Sequence, residues 1–156
     1  MKNVVRSVDK WFPRKMLVAT FFADTQYGKC VVPLETPKVA EVAGADGVLI
    51  DTFNKGVGKT LLDYMNMGKI SRFVEDCHSQ NLEAWIAGSL SKAQMVKLWR
   101  TFVDVICVRG AACERGRNVQ DIRAGTVKKS LVRQLVNTIP SEVNTKRRSE
   151  SYADGR

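Results

Sequence analysis

Four short apolar stretches recur along the chain, separated by sequence in which apolar residues fall at helical spacing. The stretches lie at 16–23 (MLVATFFA), 47–52 (GVLIDT), 83–88 (EAWIAG) and 103–109 (VDVICVR). Each is rich in β-branched or aromatic residues and closes on a small or charged one. Strands buried on both faces, as in parallel sheets, carry this pattern. Between them, Thr36-Pro37 opens a helix with proline at the first helical position. Val39 and Val42 then share one side, and Gly44 can close the helix. Ile70, Phe73, Val74 and Cys77 fall at i, i+3, i+4 and i+7, one face of an amphipathic helix. Ser91 and Gln94 form a capping box, after which Met95, Leu98, Trp99 and Phe102 repeat the same spacing. Leu131, Val132, Leu135, Val136 and Ile139 mark a last helix after Gly125. The order β-α-β-α-β-α-β-α predicts an α/β fold with parallel strands in four βα units.

Length narrows this reading. The chain has 156 residues, 44% of them hydrophobic, enough for one domain with a packed core. A complete TIM barrel needs roughly 200 residues or more. A doubly wound open sheet fits the length better, and pattern alone does not separate it from part of a closed barrel. The expected organisation is a basic extension at 1–14, the βα domain at 15–139 and a polar, mobile tail at 140–156.

Charge and special residues then exclude several function classes. The net charge is +9, which favours anionic ligands. The basic residues are spread along the chain without interleaved aromatics, and Trp85 and Trp99 fall on core positions. A nucleic-acid binder is therefore not expected. Cys30, Cys77, Cys107 and Cys113 form no CxxC pair, and His78 is the single histidine; a metal site is not expected. Residues 1–15 contain no apolar signal-peptide core, and no apolar run approaches the ~18 residues of a membrane span. The expected setting is cytoplasmic, with reduced thiols.

Active sites of parallel α/β folds lie at the carboxyl ends of the strands. Asp24 follows the first strand. Asp51 ends the second, followed by Gly56-Val57-Gly58-Lys59-Thr60. That run lacks the first glycine of GxxxxGK(S/T), because Phe53 occupies the position, so the P-loop motif fails. Gly88-Ser89 follows the third strand and Arg109-Gly110-Ala111-Ala112-Cys113 the fourth. Two such small-residue loops in succession can cradle a phosphate on backbone N–H groups; a plain helix start and a tight turn fit equally. Asp51 and Lys55 are the best proton-transfer candidates, since a carboxylate beside a lysine at a strand end can exchange protons with a substrate. A surface ion pair has the same spacing. Cys113, near Arg109 and Arg115, reads as either a reactive or an idle thiol.

Three segments together resemble one family. They are Asp51-Thr52-Phe53-Asn54-Lys55 through Gly58-Lys59-Thr60-Leu61-Leu62-Asp63-Tyr64, then Ala87-Gly88-Ser89-Leu90, then Val108-Arg109-Gly110-Ala111-Ala112-Cys113. In order and spacing they are similar to the (5-formylfuran-3-yl)methyl phosphate synthases, over about residues 15–137. The resemblance implies the carboxyl-terminal half of a TIM barrel. It also implies a lyase that condenses two glyceraldehyde 3-phosphate molecules into a furan aldehyde phosphate for methanofuran biosynthesis. That chemistry is aldolase-like and lysine-dependent, proceeds through an imine (a Schiff base), and needs no cofactor. By the same resemblance Asp51 and Lys55 are the acid/base pair. Gly88, Ser89, Arg109, Gly110 and Ala111 bind substrate phosphate, and the role of Lys59 stays open. The family's imine-forming lysine lies on its first strand and another active-site lysine on its fourth, and neither segment has a counterpart in this sequence. The implied partner is a second half-barrel, either another copy of the chain or a complementary amino-terminal half. The alternative is a non-catalytic or truncated phosphate-binding subunit.

Overall fold

The stretch at 47–51 becomes the spine of the sheet, because valine, leucine and isoleucine there suit an extended, half-buried backbone. In the computed structural model, which describes residues 1–12, 15–25, 33–114 and 125–141, four strands form one sheet. They are β1 (Val18–Phe22), β2 (Gly47–Asp51), β3 (Glu83–Ile86) and β4 (Val105–Ile106). Their order is β1-β2-β3-β4 and every pairing is parallel. The register aligns Ala19 with Val48 and Ala84, and Phe21 with Ile50 and Ile86. All six side chains are buried.

Helices α2 (Thr36–Ala43), α3 (Met67–Ser79) and α4 (Lys92–Leu98) join successive strands. Right-handed crossovers that always step in the same direction place their helices on one face of the sheet. The main core forms there: Ile70, Phe73, Val74 and Cys77 of α3 pack with Val48, Ile50, Ala84 and Ile86. Asn66 caps α3 by accepting from the Lys69 N–H at 2.9 Å. The predicted capping box of α4 is present: Ser91 N–H donates to Gln94 Oε1 at 2.8 Å and Gln94 N–H to Ser91 Oγ at 3.3 Å. An antiparallel pair, β5 (Cys113–Glu114) and β6 (Thr126–Val127), leads into α5 (Lys129–Val136). None of the described helices is long and apolar enough to cross a membrane.

The structure corrects several expectations. The strands are not buried on both faces: Thr20 is exposed, and Leu49, Trp85 and Val105, aligned with it across the sheet, are half-buried. Trp85 thus lies outside the core, its indole N–H donating to Glu83 Oε2 at 2.8 Å, whereas Trp99 is buried. In α2 the buried side is Thr36, Pro37, Ala40 and Ala43, and Val42 is 52% exposed. Small residues on the packed side let this helix approach the sheet closely. Phe102 ends a 3-10 turn in the left-handed conformation at φ 58° and is 74% exposed, because α4 stops before the fourth apolar position. On α5 only Leu135 is buried, and Val132 and Val136 are exposed.

The structure also adds helix α1 (Lys2–Trp11), which the apolar spacing of the stretches did not predict; its Val5 is buried. Beyond residue 141 the expected tail lies outside the described residues, as does Cys30. His78 is exposed and pairs with Asp104 at 2.8 Å.

Phe73 is fully buried at the centre of the α3–sheet core. Phe73→Ala should cost about 3–5 kcal/mol in urea unfolding. Val42→Ala, on the exposed side of α2, should stay within about 0.5 kcal/mol.

Candidate active site

Parallel strands carry their carboxyl ends to one edge, so the loops after β1, β2, β3 and β4 meet there. A cleft of about 670 Å³ opens at this edge. All seven candidate residues line it: Asp51, Lys55, Gly88, Ser89, Arg109, Gly110 and Ala111. Residues as far apart in sequence as Asp51 and Ala111 are thereby brought to one cavity.

Asp51 is the last residue of β2, on the same alternation as Leu49, so its side chain projects on the open side of the sheet. Lys55 begins a 3-10 turn, Lys55–Val57, which Asn54 caps by accepting from Gly56 N–H at 3.0 Å. The turn brings the chain back, and Lys55 Nζ donates to Asp51 Oδ1 and to Thr52 Oγ1, the latter at 3.0 Å. Both charged side chains are about three-quarters buried, at 26% and 25% exposure. The pair is therefore a wall of the cleft and not a solvated surface bridge.

Asp24 enters the same edge from β1. It is 2% exposed. Its Oδ1 accepts from Phe53 N–H at 2.7 Å and its Oδ2 from Asn54 N–H at 2.8 Å. Burial pushes its carboxyl up, but those two backbone donors, its own N–H and the Lys55 charge outweigh burial and hold it below the usual aspartate value of 3.8.

Gly88 and Ser89 both adopt positive φ, at 123° and 53°. A side chain at Gly88 would meet Leu61 Cβ at 2.9 Å, because Leu61 N–H donates to the Gly88 carbonyl at 2.9 Å. Gln94 Nε2 donates to Thr60 Oγ1 at 3.0 Å. These two bonds tie the loop after β2 to the loop after β3. After β4, Arg109 precedes a 3-10 turn, Gly110–Ala112; Arg109 and Gly110 are exposed. Lys59 holds a separate place, its ammonium 5.4 Å from the centre of the Tyr64 ring. Among the described residues no group of three His, Cys, Asp or Glu side chains is placed to hold a metal ion.

Two features at this edge of the sheet were missed from sequence. One is the Asp24 clamp, for which the only signal was a carboxylate at the end of an apolar stretch. The other is Cys107, which lines the cleft two residues beyond Val105, on the same strand alternation. Burial and the Asp51 charge push the Cys107 thiol up. Burial, with Asp104 and Asp76, pushes the Cys77 thiol up to about 12. In the folded protein at pH 7, Cys77 should not react with an aromatic disulfide reagent. Cys107 should react more slowly than it does after unfolding, and Asp51→Asn, which removes a negative charge beside the thiolate, should accelerate it. Labelling followed by peptide mass mapping reads both.

The fold and cleft define a class: an α/β protein with a lysine–carboxylate pair and two small-residue loops at the carboxyl edge of a parallel sheet. The family model of 4-HFC-P synthase matches residues 1–134, and the chain belongs to that family. It is 38% identical over 136 residues to a (5-formylfuran-3-yl)methyl phosphate synthase of Methanococcus maripaludis, covering 87% of this chain and 56% of that protein. Proteins of the same name from Methanocaldococcus jannaschii and Methanothermobacter thermautotrophicus are each 38% identical, over 135 and 141 residues. Those matches cover 86% and 90% of this chain, and 55% and 57% of the two relatives. The chain thus spans a little over half the length of these relatives.

Proposed function

We propose that the chain supplies the carboxyl-terminal half of a furan-forming lyase site, which condenses two glyceraldehyde 3-phosphate molecules into (5-formylfuran-3-yl)methyl phosphate. The observation that carries this reading is that one cleft is lined by the Lys55–Asp51 pair and by both small-residue loops. The pair exchanges protons with the substrate: the Asp51 carboxylate accepts a proton from a substrate carbon and the Lys55 ammonium donates one to a departing hydroxyl. The N–H groups of the loops at 88–89 and 110–111, with the Arg109 guanidinium, hold the phosphate. Carbon–carbon bond formation through an imine uses a lysine of the complementary half. Phosphate and water are lost on the way to the aromatic ring, and no cofactor takes part.

Completion by a second half-barrel belongs to the same proposal. Among the described residues the strand order β1-β2-β3-β4 leaves two edges, and one face of the sheet stays half-buried to exposed. Helix α1, which precedes β1, carries Trp11, 69% exposed, followed by Phe12, 61% exposed. Adjacent exposed aromatic side chains suit an interface. The complementary half, or a second copy of the chain, would cover them.

The test is turnover of glyceraldehyde 3-phosphate, followed by furan-aldehyde absorbance and product mass. The chain is assayed at high concentration, alone and mixed with the portion of the Methanocaldococcus jannaschii relative that it does not match. The expected result is product in the mixture, lowered at least about 100-fold by Lys55→Ala. Binding of the phosphate ester without turnover in either arm would instead identify a non-catalytic phosphate-binding subunit. Light scattering at micromolar concentration separates the partners: a monomer that gains mass only with the added portion excludes self-pairing.

A further inference from the structure

Nothing in the regular secondary structure fixes Lys55. It sits four residues past the end of β2, in a loop whose only ordered element before Leu61 is one 3-10 turn. A lysine side chain has several rotatable bonds and loses much freedom when held in one place. Its position must therefore come from the backbone that carries it, and just before Lys55 that backbone is fastened by one carboxylate.

The fastening is Asp24. Each of its carboxylate oxygens takes one consecutive backbone N–H, Phe53 to Oδ1 and Asn54 to Oδ2. The next link is Asn54 itself, whose Oδ1 accepts from Gly56 N–H and so sets the turn that starts at Lys55. The last link is Lys55 Nζ, folded back onto Asp51 and Thr52. A chain of hydrogen bonds thus runs from the end of β1 to the Lys55 amine. Asp24 is 2% exposed, and a buried carboxylate is retained only where it is fully partnered. Asp51 ends β2 and Asp24 lies two residues past the end of β1, and the pairing of these strands continues up to the site, with Ala23 N–H donating to the Asp51 carbonyl at 2.8 Å.

We propose that Asp24 is a positioning residue for the Lys55–Asp51 pair: its buried carboxylate fixes the backbone of Phe53 and Asn54 and thereby holds the Lys55 amine against Asp51. The importance of this for catalysis rests on the function proposed above; the positioning itself does not. Asp24 acts through Lys55 and need not touch substrate.

The experiment is nuclear magnetic resonance on the full chain, with ¹³C-labelled lysine and ¹⁵N-labelled backbone, comparing the unmodified protein with Asp24→Asn. Asparagine keeps the shape but offers one acceptor oxygen instead of two. Exchange of the Phe53 and Asn54 amide protons should accelerate at least about tenfold. The Lys55 Cε signal should move at the same time. Val74→Ala, a core variant on α3, should lower the melting temperature and leave that signal in place. If Asp24→Asn lowers the melting temperature but leaves Lys55 unmoved, the role is structural and the proposal fails.

An acid titration of the unmodified protein covers the case in which Asp24→Asn does not fold. Asp24 is held below 3.8 when folded, so its clamp is complete above that value and is lost as pH falls through the lowered one. The Asp24 carboxyl, the Phe53 and Asn54 amides and the Lys55 Cε signal should share one midpoint below 3.8. The charged groups facing this clamp are Lys55 and, through it, Asp51. The titration is therefore repeated in Asp51→Asn, where the shared midpoint should persist. A Lys55 signal that stays fixed through the Asp24 step overturns the proposal.

Where the completed enzyme turns over, Asp24→Asn should lower kcat about tenfold and change KM less than about twofold. An equal loss in KM would overturn the positioning role in catalysis. If no preparation turns over, the function proposed above fails on its own assay, and the resonance measurements still decide whether Asp24 positions Lys55.

Discussion

The register of β2 between its neighbours is the constraint on which the site depends. Phe22 aligns with Asp51 on one side, and Ala87 N–H donates to the Ile50 carbonyl at 2.8 Å on the other. Pairing therefore continues to the last residue of the strand and locks its backbone. Side chains alternate along a strand, so a slip of one residue would turn Asp51 into the helix-covered core and bring Ile50 to the cleft. Burial of Val48 and Ile50 against α3 opposes that slip. The packing that stabilises the sheet thus also aims the carboxylate.

The same topology explains why one face of the sheet is open. With strand order β1-β2-β3-β4, every crossover helix falls on one side, and among the described residues the main core forms there. Among the described residues the row Thr20, Leu49, Trp85 and Val105 is left half-buried or exposed. An isolated four-stranded sheet would keep this row wet. A sheet that continues past β1 and β4 and curls on itself would bury the row among its own strands. Trp85 hydrogen-bonds its N–H to Glu83, so its remaining surface is apolar and suited to such burial.

Much of this was legible in the sequence, and the parts that were not share a physical cause. The four strands were legible because their apolar stretches are short and β-rich, α3 because of its apolar spacing, and α4 because its capping box and spacing agree. The buried side of α2 was not, since Ala40 and Ala43 carry little hydrophobic signal while Val39 and Val42 carry more. The open face was not, because a continuous apolar stretch looks alike whether its second face meets helices or other strands. Helix α1 escaped because its signal is amphipathic and basic, and it precedes the first strand. At the site, Asp51, Lys55 and the two loops could be found by looking past each strand end. Asp24 could be located but its role could not, because hydrogen bonds from Phe53 and Asn54, 29 and 30 residues away, leave no local pattern.

The cleft is also where the chain departs most from its preferred local conformations. Ser89 at φ 53° is a non-glycine residue in the left-handed region, a strain of order 1–3 kcal/mol that persists only where the surroundings enforce it. The enforcing contacts are the Leu61 N–H bond to the Gly88 carbonyl and the Gln94 link to Thr60. Both connect the loop after β3 to the loop that carries Lys55. The lysine loop is held at one end by Asp24 and at the other by the bond to Gly88, so the amine and the small-residue loop form one mechanical unit. A site assembled from loops in this way gains its precision from cross-links between them, because neither loop has a helix or strand of its own to supply it.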